Sequence, residues 1–437
     1  MPQKNINRGI IVTAAGTGIN LALGVLYAWS IFKGAIKQSI EKDGPGAFTW
    51  DIASLNDPYA ICCLVFAITM IAAGKCQDTI GPRKTAFIGG LLVGLGFIWA
   101  SQTTDYLSWV LGFGVLTGAG MAFGYSSATP ASLKWFPPNK TGRITGIVVS
   151  GFGLASVYIA PLSQYLLAQW GIQRAMLFYG IAFPIAVSVL SFFLSNPPSG
   201  YVPPGFIERR TTNEIRSKAH PVFADANATP LEMIKNHMFW ILWILFFIGA
   251  GAGLMVIGSM AGMAKTSMGE RAFLAVAILA VGNAGGRIAA GALSDKIGRK
   301  KTLIAIFAVQ SALMFAAIPA TSNGASNAFQ IVFLATLIGF NYGANLALFP
   351  SYTKDLWGIK NFGVNYGIVF TAWGIGGLIM SRISQSLIAV TGDYNSAFML
   401  AGGLLLAGTV IAAAMRDKKE EMRLELKRQL LVGKAQA

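Results

Sequence analysis

The chain has 437 residues, 54% of them hydrophobic and only 12% charged, about half the charged fraction of a typical soluble protein. So little charge cannot coat a water-soluble particle of this size. The formal net charge of +16 would suit a nucleic-acid binder if it formed one basic face, but it is divided among alternate loops.

Apolar stretches of about 20 residues, each long enough to cross ~30 Å of hydrocarbon, place spanning helices near residues 9–32, 55–75, 84–104, 106–133, 143–168, 174–195, 238–262, 271–294, 302–321, 328–353, 363–390 and 396–415. The expected fold is an all-α membrane protein of twelve transmembrane helices. The first span follows Lys4 and Arg8 and has no small-residue cleavage site behind a short apolar core, so it is expected to stay as a helix. The second contains Cys62 and Cys63, with Cys76 beside its end. Adjacent cysteines cannot form an ordinary disulfide, and all three read as small apolar residues. In the fourth span Gly112, Gly114, Gly118, Gly120 and Gly124 mark close helix packing. After the sixth comes a polar stretch containing several prolines, 196–236, the expected linker between an N-terminal bundle (1–195) and a C-terminal bundle (237–437).

Basic residues follow every second span. Arg83 and Lys84 come after the second; Lys134, Lys140 and Arg143 after the fourth; Arg209, Arg210, Arg216 and Lys218 after the sixth. Lys296 to Lys301, then Lys354 and Lys360, then the tail over 416–434 continue the series, whereas 101–111, 321–331 and 389–398 hold no Lys or Arg. This positive-inside pattern predicts a plasma-membrane protein with both termini in the cytoplasm, to which Lys33, Lys37, Lys42, Arg174, Lys265 and Arg271 are exceptions. The glycosylation sequons at Asn139 and Asn227 then fall in cytoplasmic loops.

The halves repeat each other. Gly74-Lys-Cys-Gln-Asp78-Thr-Ile-Gly81-Pro-Arg83-Lys84 recurs as Gly291-Ala-Leu-Ser-Asp295-Lys-Ile-Gly298-Arg299-Lys300-Lys301, 217 residues later. The stretch from Gly142 to Gly153 recurs from Gly363 to Gly374, 221 residues later. A duplicated six-helix unit places one site between two bundles. An aspartate at a helix end can pair with a basic residue in the turn and with the N-terminus of a neighbouring helix, clamping the bundles. Asp78, Arg83, Asp295 and Arg299 are therefore the expected gating residues.

This paired loop resembles the signature of the major facilitator superfamily. Within it the chain resembles the oxalate:formate antiporter family, which includes bacterial oxalate/formate exchangers and lactate or pyruvate permeases. The pieces that carry the likeness are Leu23 to Phe32, Lys134-Trp135-Phe136-Pro137, Gly282 to Arg287, and Asn365 to Gly374. The resemblance implies two pseudo-symmetric six-helix bundles, small carboxylate anions as substrates, and a monomer as the working unit.

The residues must say whether that chemistry is possible. Arg287 lies eight positions before Asp295, so ~12 Å from the helix end at 1.5 Å per residue. A guanidinium at that depth is costly, and no Asp or Glu stands mid-span to neutralise it. A substrate carboxylate fits its planar fork; the alternatives are snorkelling or bonding to helix carbonyls. Asn283, one turn away, would hydrogen-bond the substrate or orient Arg287. Tyr125, Tyr342, Trp373 and Tyr27, with Trp29, lie at depths where rings could wall a cavity, and the family resemblance favours Tyr125 and Tyr342.

The oxalate exchangers carry a second cation, a lysine in the eleventh span, and 363–381 here has neither Lys nor Arg; the nearest is Arg382, toward the outer end. One cation balances one carboxylate, which favours lactate, pyruvate or formate over oxalate. Coupling is open between a proton carried with the substrate, an outer acid such as Asp57 or Glu270, and anion exchange; the histidines, His220 and His237, belong to the linker and its edge. No metal-ligand cluster, nucleophile elbow or phosphate loop appears, so neither an enzyme nor a cofactor or metal is expected. A linker of ~40 residues is too short for the signalling domain of a carboxylate sensor.

Overall fold

The computed structural model describes residues 2–203, 227–269, 272–322 and 328–415. Arg209, Arg210, Arg216, Lys218 and His220 of the linker, Glu270, Arg271 and the basic tail lie outside them. Among the described residues, eleven helical stretches are long and apolar enough to cross a membrane. One of these, Pro138–Ser191, is broken at Gly171, whose φ of 74° and ψ of 177° leave the helical region. Ser163 Oγ and Tyr179 OH lie 2.8 Å apart across the break, whereas 16 residues of straight helix would separate them by about 24 Å. The stretch therefore turns back on itself and makes two passes, spans 5 and 6, bringing the number to the twelve expected from hydropathy.

Spans 1 to 4 are Arg8–Lys42, Ser54–Ile80, Pro82–Ser101 and Tyr106–Leu133; spans 7 to 12 are His237–Ile257, Phe273–Ile297, Arg299–Ala320, Phe329–Trp357, Phe362–Ile388 and Asn395–Ala414. Their outer faces carry exposed Leu95, Ile185, Val309, Phe333 and Leu406, while Asn20, Gln77, Gln310, Asn345 and Arg287 are buried. Apolar outside and polar groups inside is the distribution that a lipid solvent selects. The stretch expected to be all linker ends in a short helix, Pro230–Lys235, capped by Thr229, which accepts from the Glu232 N–H while Glu232 accepts from the Thr229 N–H. That exchange of bonds satisfies two otherwise orphan donors.

Two long seams join the first six spans to the last six. In one, span 5 lies on span 8, with Gly142 against Gly291 and Gly146 against the Arg287 carbonyl. In the other, span 11 lies on span 2, with Gly363 against Gly74; a methyl on Gly367 would fall 2.5 Å from the Met70 carbonyl oxygen. Only glycine permits backbones this close. The span 4 glycines serve likewise, Gly118 facing the Cys62 carbonyl and Gly120 that of Gly89.

Two spans depart from regular α-helix in ways that hydropathy does not reveal. Span 1 tightens into a 3-10 turn over Gly24–Ala28, where a methyl on Gly24 would meet the Phe152 carbonyl. Span 4 widens into π-helix over Val110–Thr117. Such mid-helix irregularities recur at functional sites, and Tyr27 sits on the first of them.

Candidate functional site

Arg287 is 0% exposed. Its Nε donates to Asn283 Oδ1 at 2.9 Å, Nη1 to the Val149 carbonyl, and Nη2 to Tyr27 OH at 3.3 Å. Close packing of span 8 on span 5 at Gly146 brings the guanidinium under Val149, whose carbonyl has a second lone pair beyond its own helix bond. Tyr27 OH and Tyr342 OH are 2.8 Å apart, and Trp373 Nε1 donates to Tyr342 OH at 2.8 Å. Five of the six expected binding residues thus form one continuous network drawn from spans 1, 8, 10 and 11. Asn283 contributes its amide oxygen to the guanidinium.

The network has more hydrogens than acceptors. A guanidinium offers five N–H groups, and three have acceptors among the described residues. Whichever tyrosine donates to the other, the remaining hydroxyl hydrogen has no recorded acceptor inside the network. Among the described residues no carboxylate pairs with Arg287, and ion pairs such as Arg299–Asp295, Arg299–Asp355 and Arg382–Asp57 lie away from it. A buried site with surplus donors and one cation has the chemistry to accept an anion with hydrogen-bond acceptors.

Access comes from the face opposite the 2–3 and 8–9 loops. A cavity of about 760 Å³, lined by Ser30, Gln38, Gln164, Gln173, Phe273 and Val276 among others, opens there between spans 1, 5 and 8. A narrow cleft lined by Val276, Ser156, Tyr27 and Asn283 leads on toward Arg287. Beside Trp373 and Tyr27, rings from four spans meet between the two halves. Phe66 and Phe370 have centroids 5.2 Å apart, Phe152 lies 5.8 Å from Phe66, and Tyr125 is 5.6 Å from both Phe152 and Phe370. The sixth expected residue, Tyr125, therefore stands in this aromatic cluster, and its hydroxyl is outside the Arg287 network. Trp29 packs on Phe113 instead.

The loop face is shut by both aspartates, unequally. Asp295 accepts from the N–H groups of Gly142 and Arg143, each at 2.8 Å, so it caps span 5 from the other half of the molecule. Arg299 pairs with Asp295 at 2.8 Å, with Asp355 at 2.9 Å and with Ser294 Oγ, and Lys354 Nζ donates to Thr141 Oγ1 at 2.5 Å. Asp78 accepts from Val364 N–H at 3.3 Å at the start of span 11. Arg83 is exposed, and the place that Arg299 holds relative to Asp295 is Pro82 relative to Asp78. Lys134, just past the end of span 4, donates to Asn196 Oδ1 at 3.2 Å, and burial draws its ammonium below the usual range.

Sequence reading passed over Val149, because a backbone carbonyl leaves no mark in residue type. It also passed over the rings that meet between the halves, although the repeat carried a signal: counted back by 217 residues, Asn283 and Arg287 fall on Phe66 and Met70.

Comparison with known proteins agrees with this architecture. The family model described as Major Facilitator Superfamily matches residues 10–323 and again 272–435. The uncharacterized MFS-type transporter YhjX of Escherichia coli (strain K12) is 27% identical over 86% of this chain and 88% of its own length. The oxalate:formate antiporter of Oxalobacter formigenes is 25% identical over 96% and 95%, and monocarboxylate transporter 13 of Bos taurus is 28% identical over 92% and 87%.

Proposed function

The chain belongs to the Major Facilitator Superfamily, and from that premise we propose that it carries small carboxylate anions across the plasma membrane, with a monocarboxylate such as lactate, pyruvate or formate as the fitting cargo. The observation that carries this reading is the buried, donor-rich network around Arg287, which has a cation and surplus hydrogens but no anion among the described residues. The names of two relatives, an oxalate:formate antiporter and a monocarboxylate transporter, support the same substrate class.

In this reading Arg287 is the counter-ion, Asn283 holds it in plane, and Tyr27, Tyr342 and Trp373 complete the hydrogen bonds to the second carboxylate oxygen. A single cation favours a monoanion, and Arg382 supplies no second charge to the site because it pairs with Asp57 at 3.2 Å near the opposite face. With the loop face toward the cytoplasm, as the basic loops argue, the conformation is outward-facing: a cavity outside and two latches inside. Substrate neutralising Arg287 lowers the cost of closing the outer cavity, the latches release, and the halves rock about the site. The bundles divide at the 196–236 linker. Coupling is to a proton carried with the acid or to exchange of one anion for another.

Counterflow in proteoliposomes loaded in turn with lactate, pyruvate, formate, oxalate and glucose, with and without a pH gradient, tests the proposal. Uptake driven by a monocarboxylate and not by glucose is expected. Uptake driven by glucose alone would overturn it.

A further inference from the structure

On the cavity side of Arg287 the site carries a polar group that the network leaves unused. Ser156 in span 5 is 0% exposed, and its Oγ is buried with no hydrogen-bond partner among the described residues. A serine inside a helix ordinarily returns its hydroxyl to a carbonyl of the preceding turn, as Ser150 does to Ile147 at 2.7 Å. Ser156 makes no such bond, and alanine would fill the same place without burying an unmade one.

Span 5 runs past the guanidinium toward the open cavity. The Val149 carbonyl accepts from Arg287 Nη1, and a methyl on Gly153 would lie 3.2 Å from both Arg287 Nε and Asn283 Oδ1. Ser156 comes three residues later, roughly 4.5 Å further out at 1.5 Å per residue. There it lines the narrow cleft with Tyr27, Asn283, Ile257, Leu279 and Ala280. Tyr27 and Asn283 already serve Tyr342 and Arg287, which leaves Ser156 as the polar side chain of the cleft without a bond. A carboxylate oxygen sits about 2.8 Å from a guanidinium nitrogen, and the second carbon of the acid lies one bond of about 1.5 Å beyond the carboxyl carbon. With the carboxylate toward Arg287 and the rest of the acid trailing toward the cavity, a substituent on that second carbon reaches the level of Ser156.

Resting on the carboxylate reading above, we propose that Ser156 determines specificity at the second carbon of the acid, selecting 2-oxo and 2-hydroxy monocarboxylates. Its hydroxyl donates to the oxygen of a 2-oxo acid, or exchanges a hydrogen bond with that of a 2-hydroxy acid, while Ile257, Leu279 and Ala280 wall the alkyl end. An acid with only hydrogens at that carbon leaves the hydroxyl unpaired in a site shut from water, the situation in which a polar pocket rejects an isostere lacking the group.

The test is Ser156→Ala in proteoliposomes with radiolabelled pyruvate, L-lactate and propionate. Propionate has the carbon skeleton of pyruvate without the oxygen on the second carbon, so the ratio of its KM to that of either oxygenated acid reads the contact. Comparing that ratio between variant and wild type removes differences in acidity and coupling. Ser156→Ala is expected to lower the ratio for both oxygenated acids by at least about threefold, the weight of one hydrogen bond. A smaller change overturns the assignment, including the case in which all three acids weaken equally, as loss of a packing or water-binding hydroxyl would cause. If the wild-type protein moves none of these acids and no formate, the carboxylate reading fails and the assignment with it. If wild type moves them, Arg287→Gln abolishes the flux, and Ser156→Ala keeps the wild-type ratio, only the Ser156 assignment fails.

Discussion

Spans 5 and 8 meet at Gly142, Gly146 and Gly291, and spans 11 and 2 meet at Gly363, Gly367 and Gly74, the same positions carried over by the internal repeat. The backbones therefore pack alike while the side chains between them differ. The first seam holds Arg287 and Asn283; at the corresponding places the second holds Met70 and Phe66. The first latch joins Asp295 to two N–H groups and to Arg299, while the second has Asp78 on backbone N–H, with Pro82 where the arginine would stand. At the face away from the loops the relation inverts. The first seam borders the open cavity, and the second is tied by Asp57 and Arg382. Two cations facing each other in a low-dielectric interior repel unless an anion lies between them, and this chain carries a mid-span cation in the first seam, with Met70 at the corresponding place in the second. Both copies keep close backbone approach and an aspartate, which fits the proposed cycle, in which both seams open and shut.

The difference between the seams can be broken most severely at Arg287. Arg287→Gln removes the charge that sets the first seam apart and is expected to cost about 2–5 kcal/mol of substrate affinity, roughly thirty-fold to several-thousand-fold. Arg287→Lys keeps charge without the planar fork and should retain weak activity. Substrate-induced melting shifts on purified variants check both, and a normal shift for Arg287→Gln would remove the residue from the site.

The latches come next. Asp295→Asn loses charge-assisted bonds worth about 1.5–3 kcal/mol, while Asp78→Asn, with one longer backbone bond recorded, should lose about 0.5–1.5 kcal/mol. Spin-label distances across the loop face should show the larger shift toward opening in Asp295→Asn. Pro82→Arg should narrow the gap between the two seams; equal opening by both asparagine variants would mean that Arg299 adds nothing to its latch.

Selectivity offers a gain-of-function comparison. Trp373→Lys puts a cation in the second seam beside Tyr342, and oxalate should then compete against a monocarboxylate at least tenfold better, about 1.4 kcal/mol. Unchanged competition by oxalate would show that the number of central cations does not set the charge of the substrate.

The smallest effect is expected at the solvent-facing tie. Arg382 is 69% exposed, and exposed ion pairs contribute about 0.2–1 kcal/mol and weaken with salt. Arg382→Gln should raise the transport rate or lower it by less than fivefold at low salt and match wild type at high salt. A rate change that persists in high salt would assign Arg382 a role beyond this pair.

Sequence alone determined what depends on local runs of residues and on the repeat. Twelve spans follow from about 20 apolar residues each, the duplication follows from motifs recurring at fixed offsets, and the anomaly of Arg287 follows from a charge mid-span with no acid at its depth. Tertiary structure decided which groups meet. Val149 lies 138 residues from Arg287, Tyr27 lies 260 residues away from it, and Tyr27 and Tyr342 are 315 apart. Whether such residues touch depends on helix rotation and depth, which the glycine contacts set to within a side-chain diameter and which no periodicity records. For the same reason Tyr125 and Tyr342, equal candidates by depth, part company: the 3-10 turn at Gly24–Ala28 aims Tyr27 at Tyr342, and span 4 delivers Tyr125 to the rings instead.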